Sequence, residues 1–299
     1  MVVVKINQNQ KNNYKHYQNQ NMFLLYNIII IMIREIIIIG LYVIFIIFIV
    51  FTIIIINYRK IKKEEILEKM TEIPHNIFTS WHTKNLMPRM REASEIIKKR
   101  NPEFNYFLFD EEDCKNFILQ YFPLDVYNAY NTLRPPAYKA DLWRYCILYI
   151  FGGIYYDIKF VPVGDFKFLS LTDKEYFVKD PIIEKPTSTT KFGVLNGLIV
   201  AKPGNGRLLK AINAIVENVN KRYYGKNPLD ITGPLLLNRF WTQEEINNFE
   251  YVFNKPDKIK NRITNENILV MYPEYRNEQK RYGRTSNYEK LYKNKEVYY

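Results

Sequence analysis

Residues 134–153, which read RPPAYKADLWRYCILYIFGG, decide the fold because they predict a single helix with defined ends. Proline is favoured in the first turn of a helix and glycine just after the last, so the helix is expected to begin near Pro135 and to end before Gly152. Within this helix, Asp141 and Arg144 are three positions apart, which places both side chains on the same helix face. The sequence therefore predicts a carboxylate and a guanidinium that project together.

The next segment, IYYDIKF at residues 154–160, predicts a strand. Successive side chains of a strand point to opposite faces, so Tyr155, Asp157 and Lys159 are expected on one face. The sequence thus predicts that Asp157 and Lys159 point in the same direction.

Strands and helices are also predicted on both sides of this block. Strands are expected at residues 77–81, 104–109 and 195–202, and helices at 90–99, 111–121, 208–219 and after Pro234. Gly197 interrupts the last strand, which indicates a close backbone approach at that point. This alternation predicts an α/β domain whose sheet is covered by helices and binds ligands at the carboxyl ends of its strands.

Residues 36–56 form an apolar run long enough to cross a hydrocarbon core of about 30 Å as a helix. A cleaved signal peptide is the alternative, but the run is too long for its apolar region and no small-residue cleavage site follows. We expect a single-pass membrane protein with a polar tail at 1–35, an anchor at 36–56, a charged stem at 57–72 and one domain at 73–299.

The orientation of this anchor stays open. Four Lys or Arg residues precede the run and five follow it within residues 57–69, so the positive-inside rule slightly favours a cytoplasmic domain. The sequence has no Asn-x-Ser/Thr site for glycosylation, which points weakly the same way. Neither observation decides which side of the membrane the domain occupies.

The net charge of +12 lies at the two ends of the chain. Residues 1–63 hold eight basic residues against one acidic, residues 255–299 hold eleven against six, and residues 64–254 are balanced. A nucleic-acid-binding face needs cations clustered within the fold, so no nucleic-acid partner is predicted.

The two cysteines, Cys114 and Cys146, form no Cys-x-x-Cys pair, and the three histidines lack the spacing of a metal-binding helix. Neither a disulfide framework nor a cysteine- or histidine-based metal site is therefore indicated. Both thiols are expected in the core.

The Asp141 and Arg144 pair fits the demands of sugar transfer. An enzyme that cleaves a glycosyl diphosphate must stabilise charge on the diphosphate and orient sugar hydroxyls, for which a carboxylate and an arginine on adjacent helix turns are suited. The alternative is an exposed ion pair worth about 0.5 kcal/mol, and spacing alone favours it.

The blocks ADLWRY at residues 140–145 and GGIYYD at 152–157 resemble the glycosyltransferases whose sugar-binding region contains a DXD motif. These include the yeast-type initiating α-1,6-mannosyltransferases, and bacterial glucosylating toxins share a similar core. The resemblance extends over residues 73–240, through Ile73-Pro74, Trp81, Asn196-Gly197 and Thr232-Gly233-Pro234. It implies a GT-A domain, which is a Rossmann-like α/β fold. It also implies retaining transfer of a hexose from a UDP- or GDP-linked donor to a glycan, glycoprotein or glycolipid.

The resemblance also implies roles for the matching residues. Asp141 and Arg144 would contact the donor sugar, and Asp157, as the first aspartate of the motif, would serve the ribose and a Mn²⁺ or Mg²⁺ ion. Trp81 would lie near the nucleotide base, with a core aromatic as the alternative.

Three further residues are implied at the donor site. Asn196 would face the reaction centre, and the alternative for it is a plain turn. Thr232 and Gly233 would approach the donor, and the alternative for them is a simple helix cap.

The chain departs from the family pattern at Lys159, which stands where the second aspartate of the DXD motif is expected. A lysine binds phosphate well, so Lys159 is predicted to replace part of the metal's charge at the diphosphate. The alternative is an Asp157–Lys159 ion pair in a chain that has lost catalysis.

Three functional classes stay open, in order of preference. They are an active sugar transferase, an inactive relative that binds nucleotide or glycan, and a membrane-tethered interaction protein. Sugar, nucleotide and acceptor cannot be read from the sequence, because selectivity depends on the shape of the pocket.

Overall fold

The computed structural model describes residues 8–181, 192–242, 244–246, 248–253, 255–281 and 288–299. The chain divides into two compact units, Met1–Leu67 and Glu68–Tyr299. Helix α1, Gln8–Thr71, makes up the described part of the first unit and continues into the start of the second. Within the described residues, one stretch, Tyr26–Lys62, is long and apolar enough to cross a membrane. The helix extends beyond the predicted anchor at both ends, because apolar residues 28–33 and the Lys- and Glu-rich stem also favour helix.

The second unit alternates strands and helices, as the sequence predicts. Its strands are β1 Asn76–Ser80, β2 Asn105–Phe109, β3 Gly153–Tyr156, β4 Phe160–Pro162, β5 Tyr176–Asp180, β6 Gly193–Ala201, β7 Phe249–Val252, β8 Lys258–Asn261 and β9 Asn267–Met271. Its helices are α2 Pro88–Arg100, α3 Glu111–Tyr121, α4 Leu124–Thr132, α5 Pro136–Phe151, α6 Gly206–Asn220, α7 Pro234–Leu237, α8 Tyr275–Arg281 and α9 Tyr288–Lys293. The predicted α/β class is therefore confirmed.

The described strands form one mixed sheet with the order β2-β1-β3-β6-β5-β7-β8-β9-β4. Strand β1 is parallel to both of its neighbours, whereas β3 and β6 are antiparallel. Strands β3 and β4 are joined by three residues, 157–159, yet β4 pairs with β9 at the far end of the sheet. The sheet therefore curls. Residues 157–159 lie where the chain passes from the interior strand β3 to the edge strand β4.

Helix ends follow local sequence rules. Asp110 caps α3 through a capping box in which its side chain accepts from the backbone N–H of Asp113 and the Asp113 side chain accepts in return. Pro136 occupies the first turn of α5, and Gly152 ends that helix with a φ of 60°, a value that favours glycine. These signals fix the length of α5 and hence the point where β3 begins.

Two hydrophobic clusters cover the faces of the sheet. Helices α3 to α6 pack on one face around Trp143 and Tyr155, and this cluster also buries both cysteines. Tyr156 and Phe160 lie in the second cluster, within the curl. The alternation of buried side chains along β3 therefore directs Tyr155 toward α5 and Tyr156 away from it.

The predicted continuous strand over residues 154–160 is wrong at residues 157–159, which separate β3 from β4. The Asp157 N–H donates to the carbonyl of Gly197 at 2.8 Å, and the Phe160 N–H donates to the carbonyl of Asp157 at 3.0 Å. Asp157 thus opens a tight turn, because the chain must change direction to reach the far edge of the sheet. The turn still brings Asp157 and Lys159 together, so the predicted proximity of these two side chains is correct for a different reason.

Candidate active site

The Asp141 and Arg144 pair of helix α5 is buried. Each residue is 6% exposed, and the Arg144 Nη2 lies 3.5 Å from the Asp141 Oδ1. Burying two charges is costly unless they are paired and hydrogen-bonded, so this pair differs in kind from an exposed ion pair. The interpretation as an exposed ion pair is therefore wrong.

Residues distant in sequence complete the surroundings of Asp141. The Thr232 hydroxyl donates to its Oδ2 at 2.7 Å, and the Asn196 amide donates to its Oδ1 at 2.5 Å. Gly233 lies close by, because a Cβ built on it would stand 3.7 Å from the Asp141 Oδ2. Asn196, Thr232 and Gly233 thus meet at one carboxylate, although they belong to different parts of the chain.

Asp157 accepts from three side chains. Its Oδ1 lies 3.2 Å from the Arg144 Nη1 and accepts from the Tyr155 hydroxyl at 3.0 Å. Its Oδ2 lies 3.1 Å from the Lys159 Nζ. A Cβ on Gly197 would stand only 2.7 Å from that Oδ2, so the glycine makes room for the carboxylate. This is the close approach that the sequence predicts at Gly197.

Arg144 joins the two carboxylates and is itself held by the fold. Its Nε donates to the carbonyl of Ala140 at 3.1 Å, and its Nη1 donates to the carbonyl of Asn196 at 2.5 Å. The guanidinium also lies 4.3 Å from the centre of the Tyr155 ring, within the range of a cation–π contact. These contacts fix the orientation of the planar donor group, which suits it to bidentate recognition of oxygen atoms.

The two aspartates have opposite pKa shifts. Burial raises the pKa of Asp141 to about 7, against the opposing effects of Arg144 and the Thr232 hydroxyl. Burial also acts to raise the pKa of Asp157, but the nearby charges of Lys159 and Arg144 outweigh it and hold that pKa below its usual range. The site therefore keeps Asp157 ionised and leaves Asp141 able to change charge near neutral pH.

Asp141→Asn is expected to change the pH dependence of stability. Because the pKa of Asp141 is about 7 in the folded protein and near 3.8 otherwise, the folded protein holds the proton between these values and the unfolded chain releases it. The parent should therefore lose stability relative to Asp141→Asn between pH 4 and 7, on the order of 1 kcal/mol per pH unit, with no further change above pH 7. Denaturant unfolding of both proteins across that range measures it, and a constant difference would contradict the shift.

A cavity of about 220 Å³ opens beside this cluster. Trp81, Arg144 and Asp157 all line it, together with other residues from α5 and residues from helix α8. The structure therefore brings Asp141, Arg144, Asp157, Lys159, Asn196, Thr232 and Gly233 into one cluster and places Trp81 in the adjoining cavity.

Several residues at the site were missed by sequence reasoning. Tyr155 had a signal, because it shares the strand face of Asp157, but no role was assigned to its hydroxyl. Asp180 had none: it lies at the end of β5, is 4% exposed, and burial raises its pKa to about 6 despite the charge of Lys159. Tyr275 and Gln279 line the cavity from α8 and likewise carry no motif.

The donor set at Asp157 does not fit a bound Mn²⁺ or Mg²⁺ ion. Such an ion requires oxygen ligands, whereas the Asp157 oxygens already lie beside two positive charges, Arg144 at 3.2 Å and Lys159 at 3.1 Å, which repel a further cation. Within the part of the chain that the structure describes, no three His, Cys, Asp or Glu side chains are grouped to hold a metal ion. The Lys159 ammonium lies 3.1 Å from the Asp157 Oδ2, so a positive charge is already present beside that oxygen.

Part of the second unit is similar to a known family of sugar-transferring proteins. Residues 88–182 match the family model described as a glycosyltransferase sugar-binding region containing a DXD motif. This stretch includes Asp141, Arg144, Asp157 and Lys159, and the match confirms the resemblance predicted from the sequence.

Several relatives of the chain have names that refer to mannose. The chain is 26% identical over 178 residues to a mannosyl phosphorylinositol ceramide synthase of Saccharomyces cerevisiae, covering 57% of this chain and 42% of the relative. It is 26% identical over 174 residues to inositol phosphoceramide mannosyltransferase 3 of Schizosaccharomyces pombe, covering 57% and 45%. It is 30% identical over 91 residues to the initiation-specific alpha-1,6-mannosyltransferase of Candida albicans, covering 28% and 24%. The chain thus spans less than half the length of these relatives.

The solved structures that are similar to this chain include the PaToxG glycosyltransferase. It shares 22% identity with this chain at a TM-score of 0.43, covering 62% of this chain and 76% of its own.

Proposed function

We propose that this protein is a membrane-anchored glycosyltransferase that moves a hexose from a nucleoside-diphosphate sugar to an acceptor, with retention of anomeric configuration. The observation that carries the proposal is the cluster of the buried Asp141 and Arg144 with the partly exposed Asp157, beside a cavity that Trp81 also lines. A buried set of charges costs stability, so its presence at a cavity indicates a ligand-binding role. Retention is taken from the family resemblance.

The contacts suggest a division of roles at the donor. Arg144 presents donors to the oxygens of the sugar and diphosphate, and Asp141 accepts from sugar hydroxyls, with Asn196 and Thr232 fixing its orientation. The ionised Asp157 accepts from the ribose hydroxyls. Trp81, in the same cavity, stacks on the base.

We also propose that Lys159 neutralises the donor diphosphate in place of a divalent ion. Its ammonium lies 3.1 Å from Asp157, and its side chain is only 15% exposed, so its charge is poorly screened by solvent. A positive charge fixed in position before the reaction stabilises the leaving diphosphate without reorganisation. Arg144 supplies a second fixed positive charge on the other oxygen of Asp157.

The names of the relatives support mannose as the sugar and an inositol phosphoceramide as the acceptor. A membrane anchor suits such an acceptor, because a lipid substrate lies in the bilayer. The candidate span Tyr26–Lys62 has a mean hydropathy of 3.3 over its most apolar window, which fits a membrane segment.

A donor panel tests the proposed function. The full chain in detergent is incubated with UDP- and GDP-linked hexoses and inositol phosphoceramide, with EDTA or Mn²⁺, and nucleotide release is measured. We expect one donor to be turned over in EDTA, and Asp157→Asn to abolish turnover while the protein stays folded. Nucleotide binding without turnover of any donor would instead identify an inactive relative, and absence of nucleotide binding would contradict the proposal altogether.

A further inference from the structure

The segment that follows β9 packs directly on the turn that carries Asp157 and Lys159. The Tyr272 N–H donates to the carbonyl of Lys159 at 3.1 Å. Tyr272 and Tyr275 also share a buried cluster with Ile158, the residue between Asp157 and Lys159. The start of α8 is therefore part of the wall of the site.

Glu278 of α8 binds the N-terminus of α2. The first N–H groups of a helix lack partners within the helix, and α2 has no side-chain cap at Met87 and a proline at its first position. The N–H groups of Arg89 and Met90 donate to the two oxygens of the Glu278 carboxylate, each at 2.9 Å. Glu278 thereby caps α2 from 189 positions away in the chain.

The Glu278 carboxylate is otherwise enclosed. Glu278 is 6% exposed, and its second oxygen also accepts from the Tyr272 hydroxyl at 3.0 Å. A carboxylate at a helix N-terminus is favoured by the helix dipole as well as by the hydrogen bonds. These bonds fix α8 against α2 in a single register.

Tyr275, one turn before Glu278, faces Trp81 at the cavity. The two ring centres are 6.3 Å apart with an interplanar angle of 63°, and both residues line the cavity. Arg144 and Asp157 line it as well, so aromatic surface and charge border the same space. A nucleoside diphosphate combines a flat aromatic base with a charged diphosphate, so its two parts match these two kinds of surface.

We infer that Tyr275 is a second aromatic contact for the base of the nucleotide, and that Glu278 is the residue that positions it. This inference rests on the proposed function, because it assumes a nucleoside-diphosphate ligand. Aromatic surfaces bind bases by stacking with little dependence on which base is present, so Tyr275 should contribute to affinity for UDP and GDP alike.

The test measures dissociation constants of UDP and GDP for the detergent-solubilised full chain. Tyr275→Leu keeps an apolar side chain but removes the flat ring, and we expect it to weaken the binding of both nucleotides by about 10-fold or more. Tyr275→Phe should bind as the parent does, and Tyr292→Ala, a tyrosine of α9 outside the residues that line the cavity, should be without effect. Unchanged affinity in Tyr275→Leu would overturn the inference.

The positioning role of Glu278 is tested with a measurement that a general loss of stability would not reproduce. Glu278→Gln removes the carboxylate that accepts from both α2 N–H groups, so we expect nucleotide affinity to fall several-fold with kcat at saturating donor unchanged. In the double variant with Tyr275→Leu, the loss should equal that of Tyr275→Leu alone, because Glu278 acts through Tyr275. Additive losses would overturn the positioning role. If the parent itself binds neither UDP nor GDP, the proposed function fails first.

Discussion

Replacing Arg144 with methionine is expected to lower the free energy of unfolding by about 3–5 kcal/mol. The guanidinium lies between the carboxylates of Asp141 and Asp157, at 3.5 and 3.2 Å, and its side chain is 7% exposed. Without it, Asp141 loses its cationic partner in the interior and must take up a proton or remain charged at high cost. Chemical denaturation followed by circular dichroism measures the change.

Arg89→Met is the matched control for this prediction. Arg89 pairs with Glu92 at the surface, where both side chains are 57% exposed, so its loss should cost no more than about 0.5 kcal/mol. Adding Asp141→Asn to Arg144→Met should restore part of the lost stability, because one uncompensated carboxylate is removed. Equal effects of Arg144→Met and Arg89→Met would contradict the importance that we assign to the buried pair.

Helix α5 could be predicted from the sequence because its signals are local. Pro136 and Gly152 mark its ends within one segment, and the spacing of Asp141 and Arg144 follows from helix geometry alone. Whether the shared face is buried is a different question, since it depends on what packs against it. Spacing alone therefore favoured the wrong interpretation, an exposed ion pair.

The partners of Asp141 illustrate what local sequence cannot provide. Asn196 and Thr232 lie 55 and 91 residues from it along the chain. No periodicity relates positions so far apart, and only the resemblance to a family placed them at one site. The contact of Glu278 with α2 spans a still longer stretch and matched no family motif, so nothing in the sequence predicted it.

The early end of β3 has a similar cause. Alternating side chains continue past Tyr156, and nothing local distinguishes the residues that follow from further strand. The turn arises because β4 pairs with β9, a strand formed more than 100 residues later. Gly197 gave a partial signal, since a glycine within a strand indicates close approach, but it could not identify Asp157 as the group that approaches.

A large effect on activity is expected from Lys159→Asp. This substitution removes the ammonium at 3.1 Å from Asp157 and supplies the second carboxylate that the DXD pattern expects. If Lys159 neutralises the diphosphate, turnover in EDTA should fall by about 10²–10³-fold, the usual cost of losing one preorganised electrostatic contact. The two adjacent carboxylates then offer oxygen ligands suited to a divalent cation, so Mn²⁺ should restore part of the activity.

The comparison that decides this prediction uses four proteins. The parent should be equally active in EDTA and in Mn²⁺, Lys159→Ala should be inactive in both, and Lys159→Asp should be active only with the metal. Lys167→Asp, at an exposed position away from the cluster, makes the same charge change and should behave as the parent does. Thermal stability gives a second readout, because Mn²⁺ should raise the melting temperature of Lys159→Asp and leave that of the parent unchanged. Full activity of Lys159→Ala, or a parent that requires Mn²⁺, would show that Lys159 does not take the place of the metal.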